Sequence, residues 1–341
     1  MTIRRPSTSV PLALVVVLTV VLATVVSPAV TAVAGTVTAL GAAVACLVQA
    51  GRRRGRARLT WIFVGLGPLC CALTQASPTD GPAGPGYFGM LASFLAGLVA
   101  VPAPPRSLVS RGRSAVDALL IAVSLLILGW KFVIDPLTAA GESVPIAYPL
   151  ADIALATIAL CALAGWHRGF PAAGSLMLAG AALLILPIAN SVAVRLLVTE
   201  ADGWRAAPAA AWFAAFALIL IGAVDAARQP ASAGVPAGVE RDQTRMPIAI
   251  FLPYAAVLVT LVIGVVGLVR GTPGTPVGTW SGLALILLVV LRQGFIMLEN
   301  RGLARRLESR VAERAAELRA REDRFRALIE QSSESFGILE A

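Results

Sequence analysis

The chain has 341 residues, of which 57% are hydrophobic and only 14% are charged, and its formal net charge is +9. Soluble domains carry roughly 25% charged residues, so this composition excludes an ordinary soluble globular protein. The apolar residues occur in runs of about 20, the length at which an α-helix crosses the hydrocarbon core of a bilayer. The sequence therefore predicts an all-α protein, a polytopic transmembrane helix bundle embedded in the lipid bilayer.

Taken in chain order, the apolar runs predict ten transmembrane helices. They cover approximately residues 10–29, 31–50, 59–77, 87–103, 115–135, 146–166, 172–194, 208–227, 248–269 and 278–298. The first two runs form one apolar stretch, in which only Ser27-Pro28 and Gly35 indicate a turn. A cleaved signal peptide is the alternative interpretation of residues 1–30, although Ser27-Pro28-Ala29 is a poor cleavage site.

Positive charge is distributed unevenly between the two sides of these spans. Fourteen arginines before the last span fall on one side, and only Lys131, Arg195, Arg205 and Arg270 fall on the other. Basic loops are retained in the cytoplasm, which predicts a multi-pass protein of the plasma membrane with both termini cytoplasmic. This pattern also explains the net positive charge, so we predict no nucleic-acid partner.

Residues suited to catalysis or metal binding are scarce. Cys46, Cys70, Cys71 and Cys161 all lie within apolar runs, where cysteine behaves as a small hydrophobic residue. The single histidine cannot by itself form a histidine-based metal site or a charge-relay triad. The sequence has no phosphate-binding glycine loop and no nucleophile elbow. We therefore predict no enzyme activity, no metal and no cofactor for this chain.

Polar side chains inside the spans are the candidates for function, because placing them in a bilayer is costly. Six of them lie near the predicted outer ends of the fifth, sixth and seventh spans. They are Lys131, Asp135, Tyr148, Asp152, Asn190 and Arg195. Their similar depth predicts that they meet in the outer half of one bundle. Three interpretations remain open: an ion network that fixes helix register, a Lys131 side chain that reaches the headgroups, and a shallow ligand pocket.

The composition changes near Glu299, where apolar residues give way to Arg, Glu, Ala and Leu. Residues 300–331 contain no proline and one glycine, which predicts a long helix that leaves the membrane into the cytoplasm. A heptad seam follows Leu307, Val311, Leu318, Phe325 and Leu328. Arg314 and Arg321 also fall at core positions and weaken that seam. A parallel homodimeric coiled coil is one interpretation, and a single amphipathic helix on the anionic inner leaflet is the other.

Within residues 321–340, Arg324-Phe325-Arg326, Leu328, Glu330 and Ser332 fit the helix pattern RFRxLxExS, and Gly337-Ile338-Leu339 fits a strand that follows it. This stretch resembles the opening of a PAS domain, except that Glu334 stands one place later than the usual acidic residue. The few residues that remain cannot complete such a domain. The resemblance therefore implies that the sequence continues in a longer protein; the alternative is a complete tail with an accidental resemblance.

A second resemblance lies in the spans. The run Val116-Asp-Ala-Leu-Leu-Ile-Ala122, then Trp130, then Ala147-Tyr-Pro-Leu-Ala-Asp152 resembles the multi-span sensor modules of actinobacterial cyclic-di-GMP signalling proteins. Residues 50–230 share this similarity more weakly. In that family, PAS, GGDEF and EAL domains commonly follow. Asn190 stands where an aspartate is expected, which weakens a cation site. No GGDEF or EAL motif is present here, so neither activity is carried over to this chain.

These observations predict three segments: a transmembrane sensor domain at 1–299, a cytoplasmic linker helix at 300–331 and an incomplete PAS start at 332–341. An event in the bundle would move the last span, and the helix would pass that motion to an output domain in cis. This mechanism requires a bundle with two arrangements. The alternatives are a scaffolding membrane protein and a ten-span small-solute transporter of the drug/metabolite type, which predicts two similar halves.

Overall fold

The computed structural model describes residues 9–76, 85–101, 108–139, 146–165, 173–199, 206–228, 247–270 and 275–337. The helices are α1 (Ser9–Thr24), α2 (Pro28–Arg52), α3 (Gly55–Ala76), α4 (Pro85–Ala100), α5 (Leu108–Gly129), α6 (Asp135–Ala139), α7 (Ala147–Gly165), α8 (Ala173–Thr199), α9 (Ala207–Ala227), α10 (Pro247–Val269) and α11 (Pro276–Gly337). A π-helical turn, Trp130–Ile134, joins α5 to α6. No strand occurs in these ranges, so the predicted all-α fold class is confirmed.

Six helical stretches in the described ranges are long and apolar enough to cross a membrane. They are Ala29–Arg52, Gly55–Gln75, Arg111–Ala139, Ser175–Leu196, Ala207–Ala227 and Pro276–Glu322. Four shorter apolar helices coincide with the other predicted spans: Pro11–Thr24, Gly86–Ala100, Ala147–Cys161 and Tyr254–Val269. The chain is therefore a helical membrane protein, and within the described ranges each of the ten predicted runs forms a helix.

The turn between the first two apolar runs lies where the sequence indicates it. Ser27 has an extended backbone and Pro28 begins α2, a position at which proline is favourable because its missing N–H would have no helical partner. The Thr31 hydroxyl donates to the carbonyl oxygens of Leu22 and Ser27, each at 3.1 Å. These bonds attach the first turn of α2 to the end of α1.

The chain divides into two compact units. The first contains Met1–Pro105 and Ser114–Leu288, and the second contains Arg106–Arg113 and Val289–Ala341. The buried core of the first unit is built from α2, α3, α4, α7, α8 and α9. Phe94, Phe216 and Met90 are its largest fully buried side chains, and alanine and glycine at the helix contacts allow the backbones to approach closely.

The helix α11 begins in the first unit and ends in the second. It has 62 residues, so it includes the predicted helix over 300–331 and extends beyond it to Gly337. The seam residues Leu307, Val311 and Leu318 are 62–68% exposed. Phe325 and Leu328 have helical backbone, and their side chains lie outside the described set. Residues 338 and 339, matched above to a strand, also fall outside the described ranges.

Close packing of α9 against α8 depends on Gly222. A Cβ atom at this position would lie 2.7 Å from the Ser175 carbonyl oxygen, and a backbone atom cannot rotate away. Gly222→Ala is therefore expected to destabilise the protein by about 1–3 kcal/mol. The matched control is Gly264→Ala, because a Cβ there would meet no atom within 4 Å; it should leave stability unchanged or slightly higher.

Both variants can be compared by heating the detergent-solubilised protein with a thiol-reactive fluorophore. Cys46 is fully buried, so its labelling reports opening of the bundle once the partly exposed Cys70 and Cys161 are replaced by alanine. The midpoint temperature of labelling should fall for Gly222→Ala and not for Gly264→Ala. Equal midpoints would contradict the close approach of α8 and α9.

Candidate functional site

Four helices each contribute one side chain to a hydrogen-bond network in the bundle core, which we call the Asp152 network. Its members are Tyr87 of α4, Asp152 of α7, Asn190 of α8 and Trp212 of α9. The Tyr87 hydroxyl donates to Asp152 Oδ1. Asn190 Nδ2 lies 3.0 Å from Asp152 Oδ1, 3.2 Å from Asp152 Oδ2 and 3.0 Å from the Tyr87 hydroxyl oxygen. Trp212 Nε1 donates to Asn190 Oδ1 at 3.0 Å.

The donors of this network converge on one carboxyl group. Trp212 Nε1 can only donate, so it fixes the amide of Asn190 with its oxygen toward Trp212 and its nitrogen toward Asp152. Tyr87 and Asp152 are buried. Within the described residues, no ion pair involves Asp152. Neutral donors, rather than a basic side chain, therefore satisfy this carboxyl group in the core.

Three aromatic rings pack beside the network. Tyr148 lies 5.2 Å from Tyr87 between ring centroids and stacks on Phe88 at 4.9 Å with an interplanar angle of 28°. The Tyr87 and Phe88 rings meet edge to face at 5.9 Å. Such offset and edge contacts are favourable for aromatic pairs. Tyr87 thus belongs to both groups, with its hydroxyl in the network and its ring among the aromatic side chains.

Local packing explains how Tyr87 reaches Asp152. Gly86 precedes it at the start of α4, and a Cβ atom at Gly86 would lie only 1.7 Å from Thr74 Oγ1 of α3. Glycine therefore lets the first turn of α4 lie directly against α3. On α8, Pro187 lies within the helix, one turn before Asn190. Proline removes one backbone N–H there and interrupts the helical hydrogen-bond ladder.

The six residues selected from the sequence fall into two groups. Tyr148, Asp152 and Asn190 belong to the network or to its aromatic neighbours. Lys131 lies within the π-helical turn and is exposed, and Asp135 directly follows the turn and is half-buried. Arg195 Nη1 donates to the Phe132 carbonyl oxygen of the same turn at 3.3 Å.

Among the described residues, no hydrogen bond or ion pair joins Lys131, Asp135 or Arg195 to Asp152. The predicted fifth span, 115–135, contains both Lys131 and Asp135. In the structure a π-helical turn, Trp130–Ile134, occupies the end of this span. Depth in the membrane was therefore insufficient to decide which of these side chains meet.

Sequence reasoning missed Tyr87 and Trp212. Both lie in apolar helices, where tyrosine and tryptophan are ordinary at membrane interfaces. One signal was available: a buried Asp152 requires donors from facing helices, and few side chains at that depth can donate. Applied to the fourth and eighth spans, this requirement would have selected these two residues.

The chemistry open to the network is limited. Its potential nucleophile, the Tyr87 hydroxyl, is buried and donates to Asp152, and no group of three or more metal-ligating side chains occurs within the described residues. A carboxyl group held by rearrangeable neutral donors suits binding of a small polar or cationic molecule, or a change between two hydrogen-bonded arrangements. No protein family, curated protein or solved structure matches the chain.

The contribution of Trp212 can be measured with a substitution that keeps an aromatic ring. Trp212→Phe removes the donor to Asn190 Oδ1, so we expect a loss of about 1–3 kcal/mol in the free energy of unfolding. Trp280→Phe is the matched control, because Trp280 is 73% exposed and its replacement should cost less than about 0.5 kcal/mol. The midpoint temperature of thiol labelling reports the stability of both variants. Equal effects would contradict a stabilising Asp152 network.

Proposed function

We propose that the chain is the membrane-embedded sensory input module of a bacterial signalling protein, with both termini in the cytoplasm. Its bundle would receive the signal, and α11 would relay it to a PAS and output domain in cis, in a protein of cyclic-di-GMP metabolism. The observation that carries this proposal is the length of α11. Its 62 residues correspond to about 93 Å, whereas the hydrocarbon core of a bilayer needs only about 30 Å.

The part of α11 beyond Glu299 has the features of a signalling helix. Leu307, Val311 and Leu318 are spaced by four and seven residues, and water would surround these exposed side chains once the helix had left the membrane. A second copy of the chain would bury them in a parallel coiled coil. We therefore propose a homodimer through this helix. In such a dimer, rotation of the paired helices would control the output.

A second support is the attachment of α11 to α5 in the second unit. Arg113 at the start of α5 forms an ion pair with Glu299, and the two side chains are 22% and 26% exposed. Beside this pair, a Cβ atom at Gly112 would lie 2.8 Å from the Phe295 ring. The second turn of α5 therefore packs directly on α11 at the position where the apolar segment ends.

The other end of α5 belongs to the first unit and contacts the surroundings of the Asp152 network. A Cβ atom at Gly129 would lie 3.1 Å from Ile153 Cδ1, and Ile153 is the residue after Asp152. The π-helical turn follows at once and receives the Arg195 hydrogen bond. Such turns are frequent at functional positions. We propose that α5 couples the network to α11.

Charge reversal at the α5–α11 ion pair tests this coupling in the native full-length protein. Arg113→Glu and Glu299→Arg should each change the cellular cyclic-di-GMP level about fivefold, the effect of roughly 1 kcal/mol from a partly exposed ion pair. The double reversal should restore the original level, because it restores the attraction. Reversal at Arg314 and Glu317, a pair that is 82% and 53% exposed, is the control. If the double reversal gave no rescue, the proposed coupling through this pair would be wrong.

Helical phase provides a separate test of the relay. Two residues inserted after Arg310 rotate the downstream helix by about 200°, whereas seven residues rotate it by about 700°, close to two full turns. The first insertion should abolish the response of the output to the signal state, and the second should preserve it. An output that is indifferent to phase would exclude a rotating-helix relay.

The reading frame beyond Ala341 tests the output domain itself. We expect the codons after Ala341 to continue into a complete PAS domain and a catalytic domain, and an endogenous N-terminal tag should then report a mass well above that of 341 residues. A stop codon directly after Ala341 would remove the output domain and contradict the signalling proposal.

The second candidate function is transport of a small solute. Pro187 one turn before Asn190 favours it, because transporters place their binding sites at interrupted helices. Purified protein in sealed vesicles would accumulate a labelled polar or cationic solute if it were a transporter, and Asp152→Asn would reduce that uptake. We rank this function second because transport gives no role to the part of α11 beyond Glu299.

A further inference from the structure

Five arginines lie in the connection between α2 and α3 or in the helical turns beside it. They are Arg52, Arg53, Arg54, Arg56 and Arg58, and the chain contains no Asp or Glu before Asp80. The connection is short, because α2 ends at Arg52 and α3 begins at Gly55. Gly55 has a φ of +59°, a left-handed conformation that glycine adopts without strain. Strong positive charge is thus concentrated on a tight turn between two apolar helices.

Two of these arginines hold the turn in place. Arg53 Nη2 donates to the Ala226 carbonyl oxygen at 2.9 Å, and Arg56 Nη2 donates to the Val99 carbonyl oxygen at 3.1 Å. Both acceptors lie in the last turns of helices, α9 and α4, where carbonyl groups have no helical partner and positive charge is favourable. The turn is therefore anchored to two neighbouring helices.

The other three arginines, Arg52, Arg54 and Arg58, are exposed. Arg228 is also exposed and lies two residues after the Ala226 carbonyl that holds Arg53. The first turn of α3 has no acidic side chain, and positive charge is unfavourable at a helix N-terminus. An anion bound among these guanidinium groups would relieve this unfavourable placement.

Apolar side chains adjoin the same turn. Val44 and Val48 of α2 lie within three helical turns before Arg52, and Leu59 of α3 directly follows Arg58. All three are exposed. In a membrane protein such side chains contact acyl chains, which places the arginines at the level of the phosphates. The surface thus offers guanidinium groups to a headgroup and apolar contacts to the chains of the same molecule.

We propose that Arg52, Arg54 and Arg58 form a binding surface for an anionic phospholipid. Guanidinium groups recognise phosphate oxygens through paired hydrogen bonds, and the exposed Val44, Val48 and Leu59 contact the acyl chains. The lipid bridges the end of α2 and the start of α3. This surface lies outside the Asp152 network, and its occupancy is independent of the sensory function proposed above.

The test uses the 341-residue chain in detergent, titrated with phosphatidylglycerol or phosphatidylcholine and examined by native mass spectrometry. The intact chain should bind phosphatidylglycerol at least about tenfold more tightly than phosphatidylcholine, since each basic residue near an anionic headgroup contributes roughly fivefold. The triple variant Arg52→Gln, Arg54→Gln and Arg58→Gln should lose that preference. The control variant Arg310→Gln, Arg319→Gln and Arg321→Gln has the same charge change on exposed positions of α11 and should keep it.

Inorganic phosphate distinguishes a lipid site from a general anion site. Millimolar phosphate should leave phosphatidylglycerol bound, because it lacks the acyl contacts. Displacement by phosphate alone would overturn the lipid assignment, and so would equal loss of preference in the two triple variants.

The thiol-accessibility midpoint of the arginine variant should match that of the intact chain. If the variant is unfolded, the same titration on Val48→Asn decides, because loss of acyl contact should weaken both lipids equally and retain the preference. If Val48→Asn abolishes the preference, the proposed division of roles between headgroup and acyl chains is wrong.

Discussion

The bundle core depends on a carboxyl group placed where water does not reach it. Asp152 lies on α7 and receives its hydrogen bonds from Tyr87 on α4 and Asn190 on α8, while Trp212 on α9 holds Asn190 in the required orientation. A buried polar atom that loses its partner costs more free energy than a formed hydrogen bond contributes. Each of the four helices is therefore constrained in rotation and in height by the same small group of atoms. The surrounding apolar core sets the distance between the helices, and the network sets their register.

Packing is uneven around this core. The helices α3 and α9 have the largest buried share among the membrane-spanning candidates, and α11 has the smallest. Elements with few buried contacts open and move at lower free-energy cost than elements of the core. The Arg113–Glu299 ion pair attaches α11 to α5 at a defined point.

Hydropathy was sufficient to predict where the helices are, because a bilayer imposes one length on any element that crosses it. The turn at Ser27-Pro28 was also readable, since proline favours the first turn of a helix. Hydropathy was insufficient to predict which side chains meet. Which side chains meet depends on the rotation of each helix about its axis. A nearly uniform apolar surface does not indicate that rotation. Tyr87 and Trp212 were missed for this reason, and the π-helical turn at Trp130–Ile134 was not predicted. A one-residue change in helical phase cannot be read from an apolar run.

The energies available at the two ends of α5 are of similar size. Replacing one hydrogen bond of the network changes stability by about 1–3 kcal/mol, and a partly exposed ion pair such as Arg113–Glu299 contributes roughly 1 kcal/mol. A ligand can shift a two-state equilibrium only by its difference in affinity for the two states. A molecule that took the place of Trp212 as the partner of Asn190 would supply a difference of this order. Such a difference changes a population ratio by about five- to 150-fold. Hence exchange of one hydrogen bond in the Asp152 network is energetically sufficient to change which arrangement of the network is populated.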